Sequence, residues 1–166
     1  MSGSAVIGLG NPLMGDDGFG LVALARLRDD WTLEGVELAD GGTWGMSLLP
    51  LIEDSDRLVL LDAIAAGATP GAVVVLERDR LPIYLKRKLS PHQVDLSDVL
   101  AVAEWRGKLP AETVAIGVEP ESVQMGLELS PAVDRAVDTA VGVVIARLMQ
   151  WGHRCSPREP AASCMR

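Results

Sequence analysis

Residues 8–20 read GLGNPLMGDDGFG. A short apolar stretch, Ala5 to Ile7, leads into this segment, and Phe19, Val22, Ala23 and Leu27 leave it with helical spacing. The segment is therefore expected to be a strand–loop–helix joint. In an α/β sheet such a loop lies at the carboxyl end of a strand, where ligands bind. It carries two adjacent acids, Asp16 and Asp17. One acid has an ordinary explanation, because carboxylates cap helix N-termini and suit the positive end of the dipole; Asp16 fits that part. A second acid beside it, among glycines at 15, 18 and 20 that let other backbones come close, makes Asp17 a candidate for function.

Working outward from this joint, short β-branched apolar runs alternate with helical patterns. The strand at Ala5–Ile7 is followed by a helix from about Gly18 to Asp29, a strand at Val36–Ala39 and a helix through Met46–Ile52. Leu58–Leu61 reads as a buried central strand and Ala72–Leu76 as another. A helix over Leu96–Trp105 stops at Gly107, and Thr113–Gly117 forms a further strand. The last helix has Ser130 as its cap, Pro131 in the first turn, and Val133, Val137, Val141, Val144 and Leu148 along one stripe. This alternation predicts a three-layer α/β/α domain with a mostly parallel twisted sheet of about five strands. Residues 1–150 are expected to form that single domain, and 151–166, polar and proline-containing, a disordered tail.

Composition narrows the function classes. The chain has 166 residues, within the usual ~100–200 of one domain. Its 48% hydrophobic content supports a sizeable core, and with only 4% aromatics that core must be built from Val, Leu, Ile and Ala. A net charge of −8 argues against nucleic acid or an anionic membrane as partner. No apolar stretch approaches the ~20 residues needed to cross a bilayer. The start, MSGSAVIG, lacks the charged and apolar regions of a signal peptide, so a cytoplasmic location is expected. Cys155 and Cys164 read as free thiols in the tail, since no C-x-x-C pairing occurs. His153 lies near Cys155, but two neighbours do not complete a coordination shell.

Three further loops carry candidate chemistry. Asp40-Gly41-Gly42-Thr43 follows the Val36–Ala39 strand and reads equally well as a tight turn, with Asp40 or Thr43 capping the next helix. Asp62 closes the apolar run Leu58–Leu61, and burying a carboxylate end-on is costly unless it is paired or coordinated. Ser90-Pro91-His92-Gln93 places one of the chain's two histidines in a loop rather than on an apolar face. Asp17, Asp62 and His92 would supply two oxygen ligands and one imidazole from one end of the sheet. Such a set suits a divalent metal with positions left open for substrate or water. Spacing alone does not bring the three together.

Other enzyme classes fit less well. A dinucleotide fingerprint would need glycine where Leu13 stands, although the acid expected after the second strand is present as Asp40, which keeps a nucleotide among the readings. There is no G-x-S-x-G elbow, and no His lies near a Ser or Cys in a recognised triad arrangement.

Five segments together resemble the hydrogenase maturation endopeptidases of NiFe hydrogenases: GLGNPLMGDDGFG, DGGTWGMSLL (40–49), LLDAI (60–64), KLSPHQVDLSDVL (88–100) and GVEPESVQMGLELSP (117–131). They occur in the family's order and span the chain from Val6 to Val144. The resemblance implies a peptidase that removes a C-terminal extension from the hydrogenase large-subunit precursor once nickel has been inserted. It implies that Asp17, Asp62 and His92 act as the catalytic and metal-contacting trio, and that Asp40, Gly41, Gly42 and Thr43 contact substrate. Nickel would be carried by the substrate and held weakly, at most, by the protein alone. At position 17 the family commonly has Glu, so the shorter Asp17 alters ligand reach while keeping the carboxylate. The implied chemistry is aspartic-type or metal-assisted, and a monomer is expected. Similarity along DGGTWG and GVEPES suggests an uptake-type hydrogenase as the target. Two rivals remain at this point. One is a non-catalytic chaperone that docks on the precursor. The other is a peptidyl-tRNA hydrolase-like enzyme, which shares the GLGNP turn but needs an early His and a basic surface.

Overall fold

The computed structural model describes residues 3–42, 45–81 and 94–160. Strand β1 spans Ser4–Leu9, and a 3-10 turn at Gly15–Gly18 leads into helix α1, Phe19–Asp30. Then follow β2 (Trp31–Leu33), β3 (Val36–Gly42), a 3-10 turn at Gly45–Leu48, α2 (Leu49–Asp54) and β4 (Arg57–Ala63). The second half holds β5 (Val73–Glu77), a 3-10 turn at Arg78–Arg80, α3 (Val94–Trp105), β6 (Glu112–Val118), α4 (Pro131–Gln150) and β7 (Cys155–Pro157).

Five strands form the main sheet in the order β3-β1-β4-β6-β5. The first four run parallel, and β5 closes the edge antiparallel to β6. The three inner strands are buried on both faces, which is why they read as unbroken apolar runs. Their side chains alternate between two cores. Val6, Val59, Leu61, Val114 and Ile116 pack against Phe19, Leu24 and Leu27 of α1 and Val137, Val144 and Leu148 of α4. Ala5, Ile7, Leu58, Leu60 and Ala115 face the other way, onto Ile52 of α2 and Val99, Leu100 and Ala103 of α3. Two helices therefore cover each face of a mostly parallel sheet, as the alternating pattern predicts. The inner strands run one or two residues beyond the apolar runs at either end, since backbone pairing continues past them.

Helix α1 lies against the strand ends because Gly20 has no side chain. A Cβ there would stand 2.2 Å from the Leu61 carbonyl oxygen and 2.4 Å from that of Leu9. Helix α4 begins as expected, with Ser130 as cap, its Oγ accepting from the Val133 N–H, and Pro131 in the first turn.

Two features differ from expectation. The stretch after Trp151 is not wholly without structure, because β7 pairs antiparallel with β2, matching Leu33 with Cys155 and Trp31 with Pro157. Arg158 adds a main-chain bond to Asp30 at 2.7 Å and a side-chain bond to the Trp31 carbonyl at 2.9 Å. His153 bridges the Ser4 hydroxyl at 2.7 Å and the Glu34 carbonyl at 2.9 Å. Since a carbonyl only accepts, Nδ1 carries a proton, and in the neutral ring Nε2 then accepts from Ser4. His153 is thus a clip between chain segments rather than half of a metal pair. Cys155 packs against the first core, and burial pushes its thiol pKa up, which keeps it unreactive. Cys164 lies outside the described residues.

The second difference concerns the segment after Ala39. Asp40, Gly41 and Gly42 do not form a turn but extend β3, with a register shift between the Gly8–Asp40 and Leu9–Gly42 pairs. A single-residue irregularity of this kind keeps the ladder going while redirecting side chains.

Candidate active site

The carboxyl ends of the parallel strands gather acids from four segments. Asp16 and Asp17 sit in the 3-10 turn after β1, Asp62 is the penultimate residue of β4, Glu119 follows β6, and Asp40 lies near the end of β3. All but Asp40 are buried. The pivot is Gly10, which has φ +112°. A Cβ on Gly10 would stand 1.8 Å from the Asp17 carbonyl oxygen and 3.6 Å from Asp62 Oδ1. The Asp17 carbonyl therefore leaves no room for a side chain on Gly10, and the Asp62 carboxylate lies within ordinary contact of the same point. Asp17 Oδ2 accepts from the Asn11 N–H at 2.9 Å, which closes the loop upon itself. Asp62 Oδ1 accepts from the Ala63 N–H at 2.9 Å. The Asp17 main chain and the Asp62 carboxylate thus both border Gly10, at one end of the β1–β4 pair.

Asp16 has a different task from the one its position suggests. Helix α1 has Gly18 at its cap with no side-chain cap bond, so Asp16 does not cap it. Its carboxylate is fully buried and instead accepts from the main-chain N–H groups of Glu121 (2.9 Å), Ser122 (3.1 Å) and Ser130 (2.7 Å). It also accepts from the Ser130 hydroxyl at 2.9 Å. Asp16 therefore sits at the positive end of α4, the helix whose cap it reinforces, and not at α1. Main-chain bonds add to the staple: Asp16 N–H to Ser122, Gly15 N–H to Gly126, and Gly126 N–H to Leu13. The segment 120–130, part of GVEPESVQMGLELSP, is in this way fastened along the loop that carries Asp17.

Glu119 was not among the residues singled out, yet it carries the signal that identifies Asp62: an acid closing an apolar strand. Its Oε2 accepts from the Ala66 N–H at 2.7 Å, and its main chain bonds to Gly71 and Ala72. It ties the β4–β5 connection to the end of β6.

Asp40 is exposed, Gly41 is buried and Gly42 intermediate, beside β1. A Cβ on Gly41 would lie 2.6 Å from Ile7 Cγ2, so close approach of β1 explains that glycine. Thr43 and His92 lie outside the described residues. Among the described residues, no three His, Cys, Asp or Glu side chains form a group that could hold a metal ion. Among the same residues, no helix is long and apolar enough to cross a membrane.

What this end of the sheet can do chemically follows from its donors. Buried carboxylates at this end of the sheet can bind a cation or take a proton from water. Comparison with known proteins narrows the choice. The family model for hydrogenase maturation proteases matches residues 23–147. The hydrogenase expression/formation protein HupD of Rhodobacter capsulatus is 37% identical over 150 residues, covering 89% of this chain and 71% of that protein. The hydrogenase 2 maturation protease of Escherichia coli is 35% identical over 156 residues, covering 93% of this chain and 95% of that protein. Among solved structures, the hydrogenase maturating endopeptidase HybD of E. coli superposes with a TM-score of 0.89 at 34% identity, covering 94% and 98% of the two chains. Fold, length and sequence agree along nearly the whole molecule: the chain belongs to the hydrogenase maturation protease family.

Proposed function

We propose that this protein removes the C-terminal extension of a NiFe hydrogenase large-subunit precursor after nickel insertion, and that Asp17, Asp62 and His92 do the recognition and the chemistry. The observation that carries the reading is the approach of the Asp17 main chain and the buried Asp62 carboxylate to Gly10, at the carboxyl ends of two adjacent parallel strands. Nickel belongs to the substrate here. A metal already held by precursor side chains gains oxygen ligands from Asp17 and Asp62 and an imidazole from His92, so cleavage waits for a loaded precursor. With at most three side chains to offer, the protein binds the ion tightly only when the precursor completes the shell.

Two routes lead to peptide-bond cleavage. The ion polarises the scissile carbonyl, or Asp17 or Asp62 takes a proton from the attacking water as a general base. Asp40, Gly41, Gly42 and Thr43 contact the precursor. The chaperone alternative predicts docking with no change in precursor mass.

His92→Ala tests the trio. The variant is expected to fold as the wild type does by circular dichroism and to leave the precursor uncut. Normal cleavage by His92→Ala would remove His92 from the site and sink the metal-contact assignment.

A further inference from the structure

Three large apolar side chains stand in water beside the carboxylates. Leu13 is 55% exposed, Met125 88% and Leu127 81%. They are not on a frayed loop. Met14 and Gly126 form a parallel bridge, with Gly15 N–H bonded to Gly126 O and Gly126 N–H to Leu13 O, each at 2.9 Å. Leu13 and Met125 precede the two bridged residues and Leu127 follows one of them, so the three exposed side chains are mounted around a single bridge. The Asp16 carboxylate locks the strip from beneath through Glu121, Ser122 and Ser130. A rigidly mounted, solvent-facing apolar cluster of this kind marks a binding surface.

Charge states what kind of partner fits. Neither segment 8–20 nor segment 117–131 contains Lys or Arg, while they hold Asp16, Asp17, Glu119, Glu121 and Glu128. Glu121 and Glu128 are exposed on either side of Met125 and Leu127. An apolar strip bordered by carboxylates favours apolar side chains accompanied by cations.

We infer that Leu13, Met125 and Leu127 form the docking strip for a segment of the precursor that sets apolar side chains next to Lys or Arg, with Glu121 and Glu128 pairing with the cations. This rests on the peptidase reading, because the strip shares the 10–17 loop with Asp17. A segment lying on it is delivered to the carboxylates by the same loop. Removing two such contacts acts on affinity rather than on bond cleavage.

The test uses the full-length large-subunit precursor, with binding and cleavage both measured. For M125S/L127S, Kd and KM are expected to rise about tenfold, with kcat within about twofold of wild type. Met149, 56% exposed at the far end of α4, supplies the control, and M149S is expected to match wild type in both readouts. E121Q/E128Q is expected to weaken the salt dependence of Kd. Kd and KM for M125S/L127S within twofold of wild type would overturn the docking strip while leaving the peptidase reading intact. If the wild type binds without cutting and M125S/L127S binds about tenfold more weakly, the strip stands and the peptidase reading fails. A wild type that neither binds nor cuts the precursor overturns both. Self-association of the wild type that M125S/L127S abolishes would assign the strip to a second copy of the chain and overturn the inference.

Discussion

At the amino ends of the strands, acids meet guanidinium groups; at the carboxyl ends, the buried acids Asp16 and Glu119 meet main-chain N–H groups. Arg57, first residue of β4, pairs with Glu112, first of β6, at 2.5 Å. Arg147 of α4 holds Glu77 of β5 with both of its terminal nitrogens. Arg57 and Arg147 each stand 5.9 Å from the Trp151 ring, and Arg57 also donates to the Trp151 carbonyl at 2.9 Å. Opposite charges there cancel and the end is sealed. At the other end Asp16 is held by three N–H groups and a hydroxyl, and Glu119 by the N–H of Ala66. Main-chain donors fix a buried carboxylate in place. Opposite charges pair at one end of the sheet, and main-chain donors hold buried acids at the other, the end where open α/β sheets usually arrange their ligand sites.

If that division is right, substitutions at the two ends should fail differently. The largest effect on activity is expected from Asp62→Asn, which keeps shape and removes charge. Precursor processing should fall by about a hundredfold or more, with unfolding free energy changed by less than about 1 kcal/mol. Equal losses of activity and stability would mean that Asp62 is a structural acid. Asp16→Ala should show both kinds of damage, since it orphans buried donors and frees the wall of the site. Chemical denaturation is expected to report a loss of about 3–5 kcal/mol, with activity falling as segment 120–130 comes loose. A stable Asp16→Ala protein would show that the wall holds without its staple.

The smallest effect belongs to the sealed end. The Arg147 hydrogen bond holds the Glu77 carboxyl below its ordinary 4.5. A lowered carboxyl pKa contributes stability that is fully present above the ordinary value and is lost as pH falls through the lower, folded value. Glu77→Gln should therefore cost under about 1 kcal/mol at neutral pH, because the pair is partly exposed. The two proteins should converge in stability as the pH drops below 4.5, with processing unchanged at neutral pH. A pH-independent difference would remove the ion pair from the account.

The same contrast explains what was legible in the sequence. Core strands such as Leu58–Leu61 announce themselves because burial on both faces demands unbroken apolar runs, and α4 does so through its cap and stripe. Asp62 stood out because a carboxylate at the end of such a run needs a reason, and Asp17 because a second acid exceeds what capping requires. The β2–β7 pair was illegible, since three-residue strands carry no periodicity and their partners lie more than a hundred residues apart. Asp16 was misassigned for a related reason. Its partners come from 120–130, and only the tertiary fold brings the start of α4 to the turn before α1. The Gly10 pivot was hidden too, because sequence shows a glycine but not what would collide with its Cβ. In the Asp40–Gly42 segment, local turn chemistry misled, as the strand continues through an irregular pairing.

The central claim is that the acid-bearing end of the sheet cuts a nickel-loaded precursor. The direct test is the intact mass of a NiFe hydrogenase large-subunit precursor after mixing with this protein, with nickel-loaded and nickel-free forms run side by side. Loss of a C-terminal peptide from the loaded form alone is expected. Cleavage of both forms would keep the peptidase and discard nickel as its signal, and cleavage of neither cognate form would contradict the account.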